Sequence, residues 1–418
     1  MSHFPRFRVR PARAAVLLGG FLGLLAVSGV SAAAGPGAVA ATGGPEALYQ
    51  SHCAQCHDGG VARAPHRVSF EMLGAEAIYA ALTEGAMKAQ GAALSDPERQ
   101  ALAEHLSGQA LGVAPTAAVE RCAADNAVGA LGEPALAGWG LTPGNTRFVD
   151  APTAGLDRQT VPKLALKWAF AFPGATRARS QPTVAGDTVY VGSQSGAVYA
   201  LDLDSGCARW VFNADAEVRT GVALSIEDGE PAAWFGDFAG NVYRLDARTG
   251  TLRWRAAVDD HPALTITGSP RPHGGRLYVP MSSTEWASAA DPGYACCTFR
   301  GGVTAFAAET GERLWTTYSI PETPTPSGAR NELGVPLLAP SGAPVWNSPT
   351  FDRERGLLYV GTGESYTSPA HRNSDSVLAM DLVTGELRWS YQALAGDAWN
   401  MACNLPEGQR GNCPEEDG

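Results

Sequence analysis

The chain has 418 residues, of which 45% are apolar and 17% charged, and a formal net charge of −11. Such acidity excludes nucleic acid and an anionic membrane surface as partners, because both need a basic face. The length leaves room for two domains.

Arg6, Arg8, Arg10 and Arg13 precede an apolar run from Ala14 to about Val30, and small residues follow at Ser31-Ala32-Ala33-Ala34. This order predicts a signal peptide over residues 1–34 and export to the periplasm. The arginines are never adjacent, so a twin-arginine route is not indicated. The run is shorter than a typical membrane span, and no later segment is apolar enough to cross, so no stable membrane insertion is expected. Eight cysteines suit an oxidising compartment.

Cys53-Ala54-Gln55-Cys56-His57 has the spacing of a c-type haem attachment site. Two thiols form thioethers to the haem vinyl groups, and the adjacent imidazole becomes the proximal iron ligand. A zinc half-site or a redox C-x-x-C is the plainer alternative, but the flanks favour haem c. Leu48 and Tyr49 lie on a first helix leading into the motif, and Ser95-Asp96-Pro97-Glu98 opens a last helix with an N-cap residue, proline and early acid. Ala101, Leu102 and Leu106 give that helix an apolar face, and Gly108 stops it. A small all-α cytochrome c domain is therefore predicted over residues 45–110. Its second axial ligand is expected to be Met87, a soft thioether that raises the haem potential; Met72 is the rival, and His66 and His105 are expected to be solvated or packed.

After a linker over 111–137, helical periodicity disappears. Gly196-Ala197-Val198-Tyr199-Ala200-Leu201-Asp202, Ser205-Gly206 and Trp210 are echoed by Gly240-Asn241-Val242-Tyr243-Arg244-Leu245-Asp246, Thr249-Gly250 and Trp254. The ending recurs at Gly311 and Trp315, then at Gly385 and Trp389, with 44, 61 and 74 residues between successive tryptophans. Trp168 lies 42 residues before Trp210 and is expected to close a preceding blade. Repeats of this length with paired strands predict an all-β propeller over 138–418. Glycine serves the tight turn and the indole fills the wedge between blades.

The repeat resembles the tryptophan-docking repeat of pyrroloquinoline-quinone (PQQ) enzymes, which form eight-bladed propellers. Four or five blades are countable here, so the resemblance implies an incomplete propeller and a C-terminally truncated chain. With its cytochrome domain placed first, the chain is most similar to the polyvinyl-alcohol dehydrogenase group of quinohaemoprotein alcohol dehydrogenases. The resemblance implies haem c, PQQ and calcium as cofactors, an alcohol as substrate, and an external acceptor such as a soluble cytochrome c. Glu285 matches a family calcium ligand, and Glu364 stands where methanol-type relatives place an asparagine ligand; hard oxygen donors suit that ion. Trp346 matches the indole that stacks under the quinone, while Arg219, Thr267 and Ser282 match contacts to its oxygens and carboxylates. The vicinal pair Cys296-Cys297 is a candidate plate for the quinone's second face, although relatives carry such a pair in an earlier blade. Asp397, in Gly396-Asp397-Ala398-Trp399-Asn400, is the candidate catalytic base, because Asn400 fills the usual base position and cannot accept a proton. Cys403 is expected to pair with Cys413, and Cys122 with Cys207 as the more open choice. A protein-binding scaffold propeller, or a quinone-free electron-transfer subunit with a degenerate propeller, remains as an alternative.

Overall fold

The computed structural model describes residues 44–418 except 59–63, 65–66, 68–69, 71–72, 86, 109, 113–118, 124–125, 130, 132–137, 142–144, 176, 228–229, 409 and 415–418. The expected signal peptide, His66 and Met72 lie outside the described residues. Among those described, no helix is long and apolar enough to cross a membrane.

The haem domain consists of α1 (Pro45–His52), α2 (Ala54–His57), α3 (Ala75–Thr83), α4 (Lys88–Gly91) and α5 (Asp96–Ser107). The predicted start and stop of the last helix are both present. Ser95 and Glu98 form a reciprocal capping box, with the Ser95 amide donating to Glu98 at 2.7 Å, and Gly108 ends α5 in the left-handed region. Tyr49, Phe70, Ile78, Leu82, Leu102 and Leu106 form one core, on which Cys53 and Met87 pack.

Four antiparallel blades follow, and in each the chain traverses the sheet in sequence order. The first is β1 (Thr183–Ala185), β2 (Thr188–Gly192), β3 (Ala197–Asp202) and β4 (Ala208–Asn213); the second is β5 (Ala223–Glu227), β6 (Glu230–Gly236), β7 (Asn241–Asp246) and β8 (Leu252–Ala257). The third adds a short β9 (Leu264–Thr265) to β10 (Arg271–His273), β11 (Arg276–Ser283), β12 (Gly302–Ala307) and β13 (Arg313–Tyr318). A separate hairpin, β14 (Thr325–Arg330) with β15 (Pro336–Ala339), precedes the fourth blade of β16 (Thr350–Asp352), β17 (Leu357–Gly361), β18 (Ser376–Asp381) and β19 (Leu387–Gln392). The cores lie between blades, so that one cluster joins residues of the first and second blades and another those of the third and fourth. Around Trp168, where a preceding blade was expected, no strand forms.

The repeat's glycine and tryptophan meet across blades and not within one. Gly206, Gly250, Gly311 and Gly385 all have φ between 71° and 77°. A Cβ on each would fall 2.5–2.8 Å from the indole of the preceding repeat, namely Trp168, Trp210, Trp254 and Trp315. The first three indoles also donate to a carbonyl of the next blade, at Leu203, Ala247 and Ala308. One residue type thus provides both the left-handed turn and the bare surface on which an indole can lie.

Part of the expected linker belongs to the propeller. Ala208 of β4 donates to the Glu120 carbonyl at 2.8 Å, and the Cys122 amide donates back to Ala208 at 3.1 Å. The Cys122–Cys207 disulfide closes this contact, and Val128 and Leu131 enter the core between the first two blades. Farther on, Arg271 of β10 donates to the Trp139 carbonyl, and Asn145 donates to Thr350 of β16.

Substituting Gly250 by alanine is expected to destabilise the propeller by roughly 3 kcal/mol, combining the left-handed penalty with overpacking of Trp210. Gly356 supplies the control, because it has φ of 66° but nothing within 4 Å of a Cβ; its alanine variant should cost only about 1 kcal/mol. Equal losses in urea unfolding would mean that glycine–indole docking contributes nothing.

Candidate functional site

Strand register defines equivalent positions in the four blades. Thr183, Ala223, Arg271 and Thr350 pair with Tyr190, Trp234, Tyr278 and Tyr359 respectively. Two residues beyond those partners lie Gly192, Gly236, Pro280 and Gly361. The Gly192 amide donates to Ser180 Oγ at 2.9 Å, the Gly236 amide to Thr220 Oγ1 at 3.2 Å and the Gly361 amide to Asn347 Oδ1 at 3.3 Å. Pro280 has no N–H to donate, and the equivalent of the acceptor residue in that blade is Gly268.

These segments also bond to one another. Ser180 Oγ donates to the Thr220 carbonyl at 2.7 Å, Gly221 N to Ser269 Oγ at 2.8 Å and Ser269 N to Ser348 Oγ at 2.8 Å. The starts of the first strands of successive blades therefore lie side by side around the propeller axis. Immediately before the acceptor positions stand Arg219, Thr267 and Trp346, three of the residues expected to hold the cofactor. Extended backbone turns successive side chains to opposite sides, so these three point away from the neighbours that bond back to their own blades.

Each packs on the end of its second strand or on the loop that leaves it. The Arg219 guanidinium lies 5.7 Å from the centre of the Phe238 ring. Thr267 Oγ1 is 2.9 Å from Ser282 Oγ and 3.5 Å from the Trp346 carbonyl; Ser282 lies behind Thr267, fully buried, its Oγ donating to the Thr265 carbonyl at 2.9 Å. Trp346 is 36% exposed, and its indole lies against Gly363, where a Cβ would come within 3.0 Å of Nε1. Burial, followed by the charge of nearby Arg179, holds the Arg219 pKa below its ordinary value. An exposed flat indole, a hydroxyl pair and a cation short of counter-charge fit a planar, polyanionic quinone.

Glu364 follows Gly363, and the Ser365 amide donates to the Asp397 carbonyl at 3.3 Å. The Asp375 amide donates to the Gly363 carbonyl at 2.9 Å, which brings a third carboxylate that the sequence reading missed. Burial is the leading cause that pushes the Glu364 carboxyl up, followed by Asp375 and Asp397. Burial and the Asp397 charge raise Asp375 to about 6, and its Oδ2 is buried without a hydrogen-bond partner among the described residues. The only available signal was its unremarkable place in Asn373-Ser374-Asp375. Mutually repelling carboxylates suit a hard cation, although no group of three described His, Cys, Asp or Glu side chains forms a ready-made metal cage.

Two expectations need correction. Glu285 is fully buried, but its oxygens accept from Tyr294 Oη at 2.7 Å, Thr298 N at 2.8 Å and Phe299 N at 2.7 Å, with Thr298 Oγ1 at 3.2 Å. A carboxylate so fully occupied by protein donors locks a loop and is not an open calcium ligand. Cys296 and Cys297 do form a disulfide, but both are buried, and their backbone pairs with Leu338 in the hairpin. Neither residue leaves a face free for a quinone. Asn400 is buried as a cap, its Oδ1 accepting from Ala402 N at 2.9 Å, which agrees with its exclusion as a base.

In the haem domain, Cys53 and Cys56 are unpaired thiols, whereas the other six cysteines form Cys122–Cys207, Cys296–Cys297 and Cys403–Cys413. His57 is buried edge-on to Phe70, with ring centres 5.0 Å apart, and Met87 borders the same core. His105 instead lies 2.9 Å from Glu46 on the surface. Two free thiols beside a buried imidazole and a core thioether fit covalent haem.

The fold and these two sites define a PQQ-type propeller joined to a c-type cytochrome. Residues 137–406 match the family described as "Glucose/ethanol/alcohol dehydrogenase, beta-propeller domain", and residues 40–106 match "Cytochrome C oxidase, cbb3-type, subunit III". The chain belongs to the PQQ-dependent dehydrogenase propeller family, with PQQ and haem c as its cofactors. It is 36% identical to a polyvinylalcohol dehydrogenase of Pseudomonas sp. over 89% of this chain and 60% of that protein. It is likewise 36% identical to a polyvinylalcohol dehydrogenase of Sphingopyxis sp. strain 113P3, over 88% of this chain and 59% of the other. The crystal structure of quinohemoprotein alcohol dehydrogenase from Comamonas testosteroni superposes with a TM-score of 0.51 at 28% identity, covering 68% of this chain and 45% of that one. The chain thus spans about three-fifths of the length of the curated relatives it matches.

The Asp375 shift predicts a pH effect. Its folded pKa lies above the ordinary 3.8, so its stabilising contribution is complete below about 4 and lost as pH rises through about 6. Thermal unfolding in chelator should show stability falling across that window, and Asp375→Asn should flatten the fall. A slope unchanged by the substitution would remove Asp375 from the coupled cluster.

Proposed function

We propose that the protein is a periplasmic quinohaemoprotein alcohol dehydrogenase. It oxidises a secondary alcohol, polyvinyl alcohol or a similar substrate, and passes electrons to an external carrier such as a soluble cytochrome c. The observation that carries this reading is the convergence of Arg219, the Thr267–Ser282 pair and Trp346 around the propeller axis, next to the loop bearing Glu364. A haem-ready domain precedes it in the same chain. Bound PQQ supplies the two-electron acceptor and haem c the one-electron outlet.

The chain's own residues bind, orient and move a proton. Trp346 offers a flat face that fixes a planar ring without imposing charge. Arg219 directs a fixed guanidinium at carboxylate or oxyanion. Glu364 is the proposed calcium ligand, with Asp375 adding negative charge nearby. Asp397, held beside Ser365 by its backbone, accepts the proton of the substrate hydroxyl. In the haem domain His57 and Met87 would ligate the iron, and Cys53 and Cys56 would hold the haem covalently.

The test uses protein produced with haem-maturation machinery. A secondary alcohol should reduce its haem, seen in the ferrous absorption bands, only when both PQQ and calcium are supplied. Asp397→Asn should lower the turnover by at least about 100-fold with unchanged haem content. Haem that a chemical reductant reduces, but a broad alcohol panel does not, would reject the dehydrogenase reading in favour of a scaffold or electron-transfer role.

A further inference from the structure

The register that aligns Arg219, Thr267 and Trp346 assigns a fourth residue to their ring. Ser180 is the first-blade equivalent of Thr220 and Asn347, since its side-chain oxygen accepts the amide of the glycine ending the second strand, as theirs do. The residue before Ser180 is Arg179, which occupies in blade one the place of Arg219 in blade two. Four successive blades therefore present Arg179, Arg219, Thr267 and Trp346 around one arc, running from cationic through hydroxyl-bearing to flat and aromatic.

The first-blade side of this arc is built to hold charge. Arg177, two residues earlier, is paired with Glu217 at 2.6 Å, and Glu217 lies two residues before Arg219. Glu217 is thereby bonded to Arg177, and its charge reaches Arg219 without a direct bond. Arg179 is exposed, Arg219 is half-buried, and among the described residues neither guanidinium has an ion-paired or hydrogen-bonded partner. Arg179 is near enough to disfavour the charge on Arg219, and the Ser180–Thr220 bond joins the residues that follow them. Two guanidiniums on neighbouring blades without a bonded acid favour an anion between them, and their planar donors suit carboxylate.

We infer that Arg179 is a further cofactor-binding residue, forming with Arg219 a two-arginine clamp for the carboxylates of the quinone. The assignment rests on the PQQ reading and adds a residue to it. The clamp fixes the acidic edge of the ring system at the first two blades, while Trp346 takes its face at the fourth. Because it acts on charge, it distinguishes the tricarboxylate quinone from neutral quinones of similar shape.

The test is direct binding, read by quenching of tryptophan fluorescence and checked by equilibrium dialysis, on the haem-loaded protein without PQQ. The probes are PQQ and its trimethyl ester, which keeps the ring and removes the carboxylate charges. Arg179→Gln should weaken PQQ binding about tenfold or more, Arg179→Lys should recover part of the loss, and the ester should bind parent and Arg179→Gln alike. Unchanged PQQ affinity in Arg179→Gln overturns the clamp while leaving the PQQ site intact. An equal loss for acid and ester also overturns it, since the effect would not be one of charge. A parent protein that binds no PQQ overturns the cofactor site itself and the clamp with it.

Discussion

The packing of a left-handed glycine on the indole of the preceding repeat is the contact on which the rest of this molecule depends. It couples two constraints that would otherwise need separate residues. The turn requires positive φ, and the indole requires a surface without a side chain. Meeting both with one glycine repeats the same inter-blade spacing at Gly206, Gly250, Gly311 and Gly385. Because the blades repeat, the segments entering their first strands repeat as well. Backbone-directed bonds from Ser180, Thr220 and Asn347 then hold neighbouring side chains at one height around the axis. The site is a property of the register before it is a property of any individual side chain.

That arrangement separates rigid scaffold from chemistry. Buried hydroxyl, amide and indole groups bond within and between blades, leaving Arg219, Thr267 and Trp346 free to differ from blade to blade. Trp139 and Asn145 bond to Arg271 and Thr350 in two of the first strands, and the Cys122–Cys207 link fastens an earlier part of the chain to the first blade. Glu285 and the Cys296–Cys297 pair belong to this supporting layer. Their polar groups are consumed by Tyr294, Thr298, Phe299 and Leu338, so they shape the loops around the site without opening toward it.

Much of this was legible in the sequence because it is local or periodic. The haem attachment run, the Ser95–Glu98 capping box and the Gly108 stop are each encoded within a few residues. The Gly-Trp period revealed the blades, although it concealed that each glycine serves the tryptophan of the previous repeat. That pairing is long-range, and spacing within a copy cannot display it. Asp375 escaped for the same reason, since only folding brings its backbone to Gly363 beside Glu364. Glu285 misled because a carboxylate in a family position says nothing about which donors will surround it. Arg179 had no local signature, and its role follows only once strand register equates it with Arg219.

The central claim is that four register-equivalent positions around the propeller axis hold one planar, anionic cofactor. A crystal structure of the protein with PQQ bound tests it most directly. The account predicts the quinone's ring on Trp346, its carboxylates toward Arg179 and Arg219, and its polar edge near Thr267 and Ser282. A quinone seated elsewhere, or one whose carboxylates point away from both arginines, would contradict it.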